Sequence, residues 1–99
     1  MIGKQTYSFS GVVWQYPAVG GWYFVSLPTD MTEEIRKHLN WLEEGWGRLR
    51  VTAKAGSSSW ETAIWFDKKH CTYLLPIKAE IRKKESIAVN HEIVITLWI

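Results

Sequence analysis

The sequence predicts a mainly β domain in which six short strands and two short helices form a closed or split barrel. Three observations lead to this fold. Apolar and polar residues alternate along most segments, which is the period of a strand with one buried face. Helical periodicity occurs in two short stretches only, so the strands are not joined by repeated crossover helices. The order strand, strand, helix, strand occurs twice along the 99 residues.

The two occurrences share short motifs, which indicates an internal repeat. Leu27-Pro28 recurs as Leu75-Pro76, 48 residues later. Glu34-Ile35-Arg36-Lys37 recurs as Glu80-Ile81-Arg82-Lys83, 46 residues later, and a two-residue difference in a loop reconciles the two spacings. We therefore expect Leu27 and Leu75 to occupy related environments.

Size and composition limit the possible architectures. A chain of 99 residues buries one modest core, so we expect a single domain over residues 1–99, with half-repeats of roughly 1–56 and 57–99. The net charge of +2 is small, and the pI of about 8.8 only mildly favours an anionic partner. Seven tryptophans exceed what a small core needs, so some of them are expected to line a groove, an interface or a rim.

The expected location is the cytoplasm. Cys71 is the single cysteine, which excludes an intramolecular disulfide and fits a reducing compartment. The N-terminal residues lack the continuous apolar stretch of a signal peptide. The apolar run from Trp22 to Val25 is far too short to cross a bilayer, so no membrane association is expected.

Six segments carry the strand pattern. They cover residues 4–14, 22–27, 48–54, 60–66, 72–75 and 92–98. Gly11 is expected to mark a bulge or a close approach of two backbones. Residues 15–21, with paired glycines, predict a turn, and residues 67–70 predict a charged hairpin turn. Asn90 is expected to adopt a left-handed conformation, which asparagine tolerates.

The first helix is expected to begin near Asp30. Asp30 and Glu33 have the spacing of a capping box, and Thr32 is the alternative N-cap. The helix is expected to end near Glu44, because Gly45 follows. One face of this helix carries the apolar residues Met31, Ile35, Leu39 and Leu42.

The second helix is expected over residues 79–84, with Ile77 and Ile81 facing inwards. The surrounding stretch, Pro76 to Lys83 followed by Asn90 to Ile95, resembles the AbrB/MazE swapped-hairpin type. That type has a proline-led basic helix, a Gly-Asp turn and a strand. The chain departs from it at the turn, where Asn90-His91 keeps the backbone conformation but loses the acidic group.

A second resemblance covers nearly the whole chain. It rests on four segments: Gly21-Trp22-Tyr23-Phe24-Val25-Ser26-Leu27-Pro28, Gly45-Trp46-Gly47, Asp67-Lys68-Lys69 and Tyr73-Leu74-Leu75-Pro76-Ile77-Lys78. They resemble a family of small bacterial domains of unknown function, which occur alone or joined to a bacteriocin-protection-type domain. The resemblance implies a double-split β-barrel, pseudo-two-fold and capped by helices, within one chain. It implies no established activity.

Basic residues form the first set of candidate functional side chains. The set is Arg48, Arg50, Lys54, Lys68, Lys69, Lys78, Arg82, Lys83 and Lys84. Such residues can follow a phosphate backbone, which makes binding salt-dependent. They can equally form a solvated face that keeps the domain soluble. The ten acidic residues nearly balance the twelve basic ones, which favours the solvated face.

Aromatic residues form the second set. The set is Tyr16, Trp22, Trp46, Trp60, Trp65 and Trp98. They either form a platform for a ligand, a nucleic acid or a partner, or fill the core and the barrel ends. Trp60 and Trp65 are five residues apart and face opposite sides of a regular strand, so at least one is expected to be exposed. Trp46, between two glycines, is the best candidate for a ligand-facing ring.

The sequence argues against catalysis and against a metal or cofactor. His70-Cys71 are adjacent ligands without a spaced second pair, which does not make a zinc site. Neighbouring residues on a strand also face opposite sides, so this pair does not serve as nucleophile and base. The sequence contains no glycine-rich phosphate loop, serine nucleophile elbow or zincin motif.

The sequence therefore favours a non-catalytic binding or interaction module. A small ligand or protein partner would bind near the junction of the two half-barrels. The candidate site residues are Trp46, Arg48, Trp60, Lys68, Lys69, Lys78 and Arg82. The alternative is a nucleic-acid-binding regulator of the AbrB-like kind, which the weak net charge does not favour. A third possibility is a structural domain that pairs with a second copy or a protective protein, so monomer and homodimer both stay open.

Overall fold

A computed structural model describes residues 5–18 and 20–99, except for the side chains of Asn40 and Trp46. Over that part, the chain forms two short α-helices and a closed antiparallel barrel of six strands, which confirms the predicted fold class. The strands are β1 (Thr6–Gln15), β2 (Tyr23–Ser26), β3 (Arg48–Ala55), β4 (Ser58–Asp67), β5 (Thr72–Pro76) and β6 (Glu92–Trp98). The helices are α1 (Thr29–Leu39) and α2 (Ala79–Lys84), and 3₁₀ turns occupy Asn40–Leu42 and Gly45–Gly47.

The order of strands around the barrel has a two-fold relation. The order is β1-β2-β5-β4-β3-β6, with β6 pairing back onto β1. Exchanging β1 with β4, β2 with β5 and β3 with β6 converts every one of these pairings into another observed pairing. The closed barrel therefore consists of two topologically equivalent sets of strands.

Hydrogen bonds fix the register of this two-fold relation. The Leu27 amide donates to the Tyr73 carbonyl at 3.0 Å, and the Ile77 amide donates to the Tyr23 carbonyl at 2.9 Å. These reciprocal bonds make Tyr23 equivalent to Tyr73 and Leu27 equivalent to Ile77. Both helices also begin at equivalent positions, Thr29 and Ala79.

The predicted equivalence of Leu27-Pro28 and Leu75-Pro76 is therefore wrong by two residues. Leu27 corresponds to Ile77, whereas Leu75 pairs with Val25 across the seam between β2 and β5. Both leucines are buried, but the backbone register and not the repeated dipeptide defines equivalence. The internal duplication itself stays a prediction from the sequence.

The core fills the barrel with inward-facing aliphatic and aromatic side chains. Along β3 the buried residues alternate with exposed ones, as expected for a strand with one face in the core. α1 contributes Ile35 and Leu39 to the same cluster, and α2 contributes Ile81. Ile77 and Ile81 are both buried, which confirms their predicted inward orientation.

Two backbone predictions from the sequence are confirmed. Gly11 pairs with Ile93 in an unbroken ladder, so it marks a close approach and not a bulge. A side-chain carbon at Gly11 would collide with the Val25 side chain, so a larger residue would displace a buried neighbour. Asn90 has a φ of 74°, in the left-handed region.

The first helix differs from the expectation at both ends. α1 begins at Thr29, so Asp30 lies in its first turn, where its carboxylate accepts a hydrogen bond from the Met31 amide at 2.9 Å. α1 ends at Leu39, five residues before the predicted end. Leu42 lies in the following 3₁₀ turn and is 37% exposed.

The segment that follows α1 is held by the carboxylate of Glu43. Arg36 donates from Nη1 to Glu43 Oε2 at 3.0 Å. In a continuous helix two residues seven apart lie roughly 10 Å apart along the axis, so the chain must turn to join them. The same Glu43 carboxylate accepts a hydrogen bond from the buried Tyr73 hydroxyl. The polar bonds of Glu43 therefore accompany the turn of the chain after Leu39.

Candidate functional site

The outward face of β3 forms one side of a concave feature of the barrel wall. Leu49, Val51 and Ala53 point into the core. Arg48, Arg50 and Thr52 consequently point outwards, because side chains alternate along a strand. The predicted cationic outer face of this strand is thereby confirmed.

β4 supplies the opposite side of this feature. Trp65 lies across from Arg48, Ala63 across from Arg50, and Glu61 across from Thr52. These three residues occupy alternate, outward-facing positions of β4, yet Ala63 is only 5% exposed. Because its side chain is a single methyl group between larger neighbours, Ala63 forms the floor of a depression.

Three tryptophan side chains line the same depression as Ala63. Trp65 is 38% exposed and Trp22 is 63% exposed, while Trp98 of β6 pairs with Thr52 of β3. Together with Ala63 and the outward residues of β3, they line an open groove of about 670 Å³. We call it the tryptophan groove. Its volume lies in the range of small-molecule sites in proteins.

The tryptophan groove contains charges of both signs. Arg48 lies 4.0 Å from Glu44, and its guanidinium lies 5.5 Å from the centre of the Trp65 ring. Arg50 lines the middle of the groove, and Glu61 lines it further along. The site therefore combines an apolar floor and aromatic walls with a rim of mixed charge, which differs from a uniformly cationic surface.

The two-fold relation places a different surface on the opposite side of the barrel. Trp14 pairs with Phe24 of β2, and Trp65 pairs with Leu74 of β5. Phe24 and Leu74 directly follow the equivalent residues Tyr23 and Tyr73, so Trp14 and Trp65 are equivalent. Two residues further back, Val12 is equivalent to Ala63.

Glu92, the cross-strand partner of Val12, is likewise equivalent to Arg50. Val12 and Glu92 thus replace the small floor and the central cation. The tryptophan groove is therefore not a necessary consequence of the fold.

A second, smaller pocket adjoins the tryptophan groove. It has a volume of about 370 Å³ and lies at the turn between β1 and β2. Trp22 lines both pockets and stacks on Phe24 with a centroid distance of 6.3 Å. Tyr16 lines the smaller pocket from the other side. The exposed aromatic surface consequently continues from the groove onto β2.

The candidate residues predicted from the sequence are distributed over several regions. Arg48 lines the tryptophan groove. Trp60 lies in the core and is 6% exposed, because its position on β4 points inwards. Trp65 is exposed, which confirms that at least one of this pair reaches the surface. The side chain of Trp46 lies outside the described residues.

The remaining candidate residues lie away from the tryptophan groove. Lys68 and Lys69 are exposed in the turn between β4 and β5, and Lys78 is exposed just before α2. Arg82 is half-buried: its guanidinium lies 3.6 Å from the centre of the Tyr23 ring, and its Nε donates to the Ile77 carbonyl. Arg82 therefore holds α2 against the barrel.

Sequence reasoning did not identify the floor of the groove. Ala63 has no distinguishing side-chain chemistry, and its role depends on lying across from Arg50. The aromatic set did contain Trp22, Trp65 and Trp98, and the basic set contained Arg50. Their grouping depends on the register between β3 and β4 and on the pairing of β3 with β6, which alternation alone does not give.

Two other polar clusters have geometry of chemical interest. Burial raises the pKa of Tyr73, and the hydrogen bond to Glu43 raises it further. This tyrosine therefore stays protonated and serves as a structural donor.

The other cluster lies in the turn between β4 and β5. His70 Nδ1 lies 2.5 Å from Asp67 Oδ2, and this hydrogen bond lowers the pKa of Asp67. Cys71 lies beside this pair, but its Sγ contacts the Lys68 carbonyl.

Two features are absent from the described ranges, 5–18 and 20–99. No group of three or more His, Cys, Asp or Glu side chains there is arranged to hold a metal ion. No helix within those ranges has both the length and the apolar character needed to cross a membrane.

The fold and the tryptophan groove define a small antiparallel β-barrel whose wall carries an open aromatic cleft. Residues 9–97 match the family described as Domain of unknown function (DUF1905). The chain belongs to that family, which confirms the resemblance to a small domain of unknown function. No curated protein matches the chain significantly.

Proposed function

We propose that this protein is a non-catalytic binding module whose ligand or partner occupies the tryptophan groove. One observation carries the proposal: Trp22, Trp65 and Trp98 line the same groove as the small residue Ala63. A large aromatic ring that stays exposed to water lacks the stabilisation that burial provides, which is on the order of 1–2 kcal/mol. A partner that covers these rings recovers that free energy.

The groove coincides only in part with the site expected from the sequence, because it contains Arg48 but neither Lys78 nor Arg82. β3 belongs to the first set of strands and β4 to the second, so the groove lies where the two sets meet. The equivalent surface on β1 and β6 carries Val12 and Glu92 in place of Ala63 and Arg50. The difference supports a role that is specific to one side of the barrel.

Intrinsic tryptophan fluorescence tests this proposal. We expect at least one compound in a panel of metabolites to change the emission in a saturable manner, because three of the rings line the groove. The Ala63→Val variant places the larger residue of the opposite face on the floor, and we expect it to abolish the response. The Val12→Ala variant is the matched control and should respond like the parent protein.

Two results would contradict the proposal. One is unchanged emission with every compound of the panel. The other is a response that Ala63→Val preserves in full while circular dichroism shows an intact fold.

Nucleic-acid binding is the second candidate, favoured by a single observation. Arg48, Arg50 and Lys54 are exposed along β3 beside Trp65, so cations and a stacking ring share one face. Glu44 and Glu61 line the same groove and oppose a polyanion. A gel shift with single-stranded oligonucleotides at low and moderate salt decides the matter. Absence of a shift at low salt, or affinity independent of salt, eliminates this candidate.

The finer parts of the sequence resemblance belong to the same proposal. They are a bacterial and cytoplasmic setting, a double-split barrel related to the AbrB/MazE type, and occurrence alone or joined to a bacteriocin-protection-type domain. The chain would act as a monomer or as a homodimer. Light scattering of the purified protein distinguishes these two states.

A further inference from the structure

We propose that the tryptophan groove binds a small molecule that carries one carboxylate on a flat apolar body, with Arg50 as the partner of the carboxylate. This inference rests on the proposed function of the groove and adds the chemical class of the ligand. It comes from the position of Arg50, the spacing of the tryptophans and the distribution of charge.

Arg50 is an exposed cation in the middle of the groove. Among the described residues, the Arg50 side chain has no hydrogen-bond or ion-pair partner. Arg48 differs, since Glu44 lies 4.0 Å from it and Trp65 lies beneath its guanidinium. A guanidinium presents a planar fork of donors that matches the two oxygens of a carboxylate. Arg50 is therefore the cation of the groove that is ready to receive an anion.

The neighbouring rungs of the sheet provide the surfaces for a flat apolar body. Arg50 of β3 lies across from Ala63 of β4. Two residues before Arg50, Arg48 lies across from Trp65 of β4, and two residues after it, Thr52 lies across from Trp98 of β6. Trp65 lies two residues from Ala63 on β4, whereas Trp98 lies on β6, beyond β3. A flat body that extends from Ala63 across β3 would thus lie between these two aromatic side chains. Aromatic rings stack or meet edge to face, which adds an attraction beyond the burial of apolar surface.

The distribution of charge favours a ligand with one negative group. Glu44 and Glu61 line the groove on either side of Arg50, on the Arg48 side and the Thr52 side respectively. Because Glu44 already offsets Arg48, the described residues of the groove offer a second anionic group on the ligand no cation equivalent to Arg50. A monocarboxylate can place its charge at Arg50 and its neutral body over Ala63.

The test measures affinity by isothermal titration calorimetry with 2-naphthoate and with its neutral analogue 2-naphthamide. Because hydrogen bonds to charged groups are stronger than those to neutral groups, we expect the acid to bind at least about tenfold more tightly than the amide. The Arg50→Gln variant should bind the acid no more tightly than the amide. The Lys54→Gln variant removes an exposed cation of the same strand that does not line the groove, and should bind like the parent protein.

Three outcomes would overturn the inference. The amide binds as tightly as the acid, Arg50→Gln leaves the affinity for the acid unchanged, or 2-naphthoate fails to bind while other compounds of the panel change the fluorescence in the Ala63-dependent manner. In these cases the groove remains a binding site for another class of ligand. Failure of 2-naphthoate together with every compound of the panel would instead remove the proposed function as well.

Discussion

At the scale of single residues, a few polar side chains determine how the loops meet the barrel. Glu43 accepts from Tyr73 and Arg36, and the Arg36 guanidinium also covers the Phe66 ring at 3.8 Å. Phe66 meets Tyr73 edge to face at 5.6 Å. This cluster fixes the segment after α1, which supplies Leu42 and Glu44 to the groove.

Replacing Tyr73 by phenylalanine tests the contribution of this cluster. Tyr73 is fully buried, so the loss of its hydrogen bond to a carboxylate should lower the free energy of unfolding by about 2 kcal/mol. Urea denaturation at neutral pH measures this difference. Tyr16→Phe, at an exposed tyrosine, is the control and should change stability by less than about 0.5 kcal/mol.

The same variant gives a prediction for alkaline pH. Burial and Glu43 raise the pKa of Tyr73 above the usual value of 10.0, so the unfolded chain loses this proton at a lower pH than the folded chain. The stabilising effect is therefore complete below pH 10 and decreases as the pH rises above it. The stability difference between parent and Tyr73→Phe should shrink in that range. A constant difference up to high pH would contradict this account.

At the scale of secondary-structure elements, strand patterning was predictable and helix boundaries were less so. Alternation along β3 and β6 identified both strands because each has one buried face. The end of α1 was not predictable, because Glu43 finds its partners Tyr73 and Arg36 only in the folded barrel. Ala63 was missed for the same kind of reason: its importance comes from the register with Arg50.

α2 is joined to the turn between β3 and β4 by one carboxylate. Glu85 accepts from the Ser57 amide and hydroxyl at 3.4 and 3.2 Å, and from the Ser58 hydroxyl at 2.5 Å. These bonds tie the end of α2 to a turn of the other set of strands. Gly56 suits this turn because its φ of 60° lies in the left-handed region, which glycine adopts without strain.

Replacing Glu85 by glutamine should weaken this connection. The hydrogen bonds of Glu85, chiefly that from Ser58, lower its pKa below the usual value of 4.5. Its stabilising effect is consequently present above that pH and is lost as the pH falls below it. We expect Glu85→Gln to lower the urea midpoint at pH 7 and to speed hydrogen exchange at the Ser57 amide.

Glu92→Gln, at an exposed carboxylate of β6, is the matched control for this variant. The urea midpoint of Glu92→Gln at pH 7 should stay close to that of the parent protein. An equal effect of Glu85→Gln at pH 3 and pH 7 would show that the carboxylate charge is not responsible.

At the scale of the whole molecule, the barrel is a two-fold framework with an asymmetric surface. The strand pairings exchange under the two-fold relation, and Trp14 and Trp65 occupy equivalent positions. The surface differs where Ala63 and Arg50 replace Val12 and Glu92. The sequence predicted the framework through its repeated order of elements. It did not predict the asymmetry, which emerges only when the strands are paired.

The most direct test of the tryptophan groove is a map of the seven indole N–H signals by ¹H–¹⁵N NMR, assigned by single Trp→Phe variants. On addition of a compound that changes the fluorescence, we predict that the signals of Trp22, Trp65 and Trp98 shift together. The signal of Trp60, buried in the core, should stay in place. Saturable binding that leaves those three signals unmoved, or that shifts Trp14 on the opposite face instead, would contradict the account.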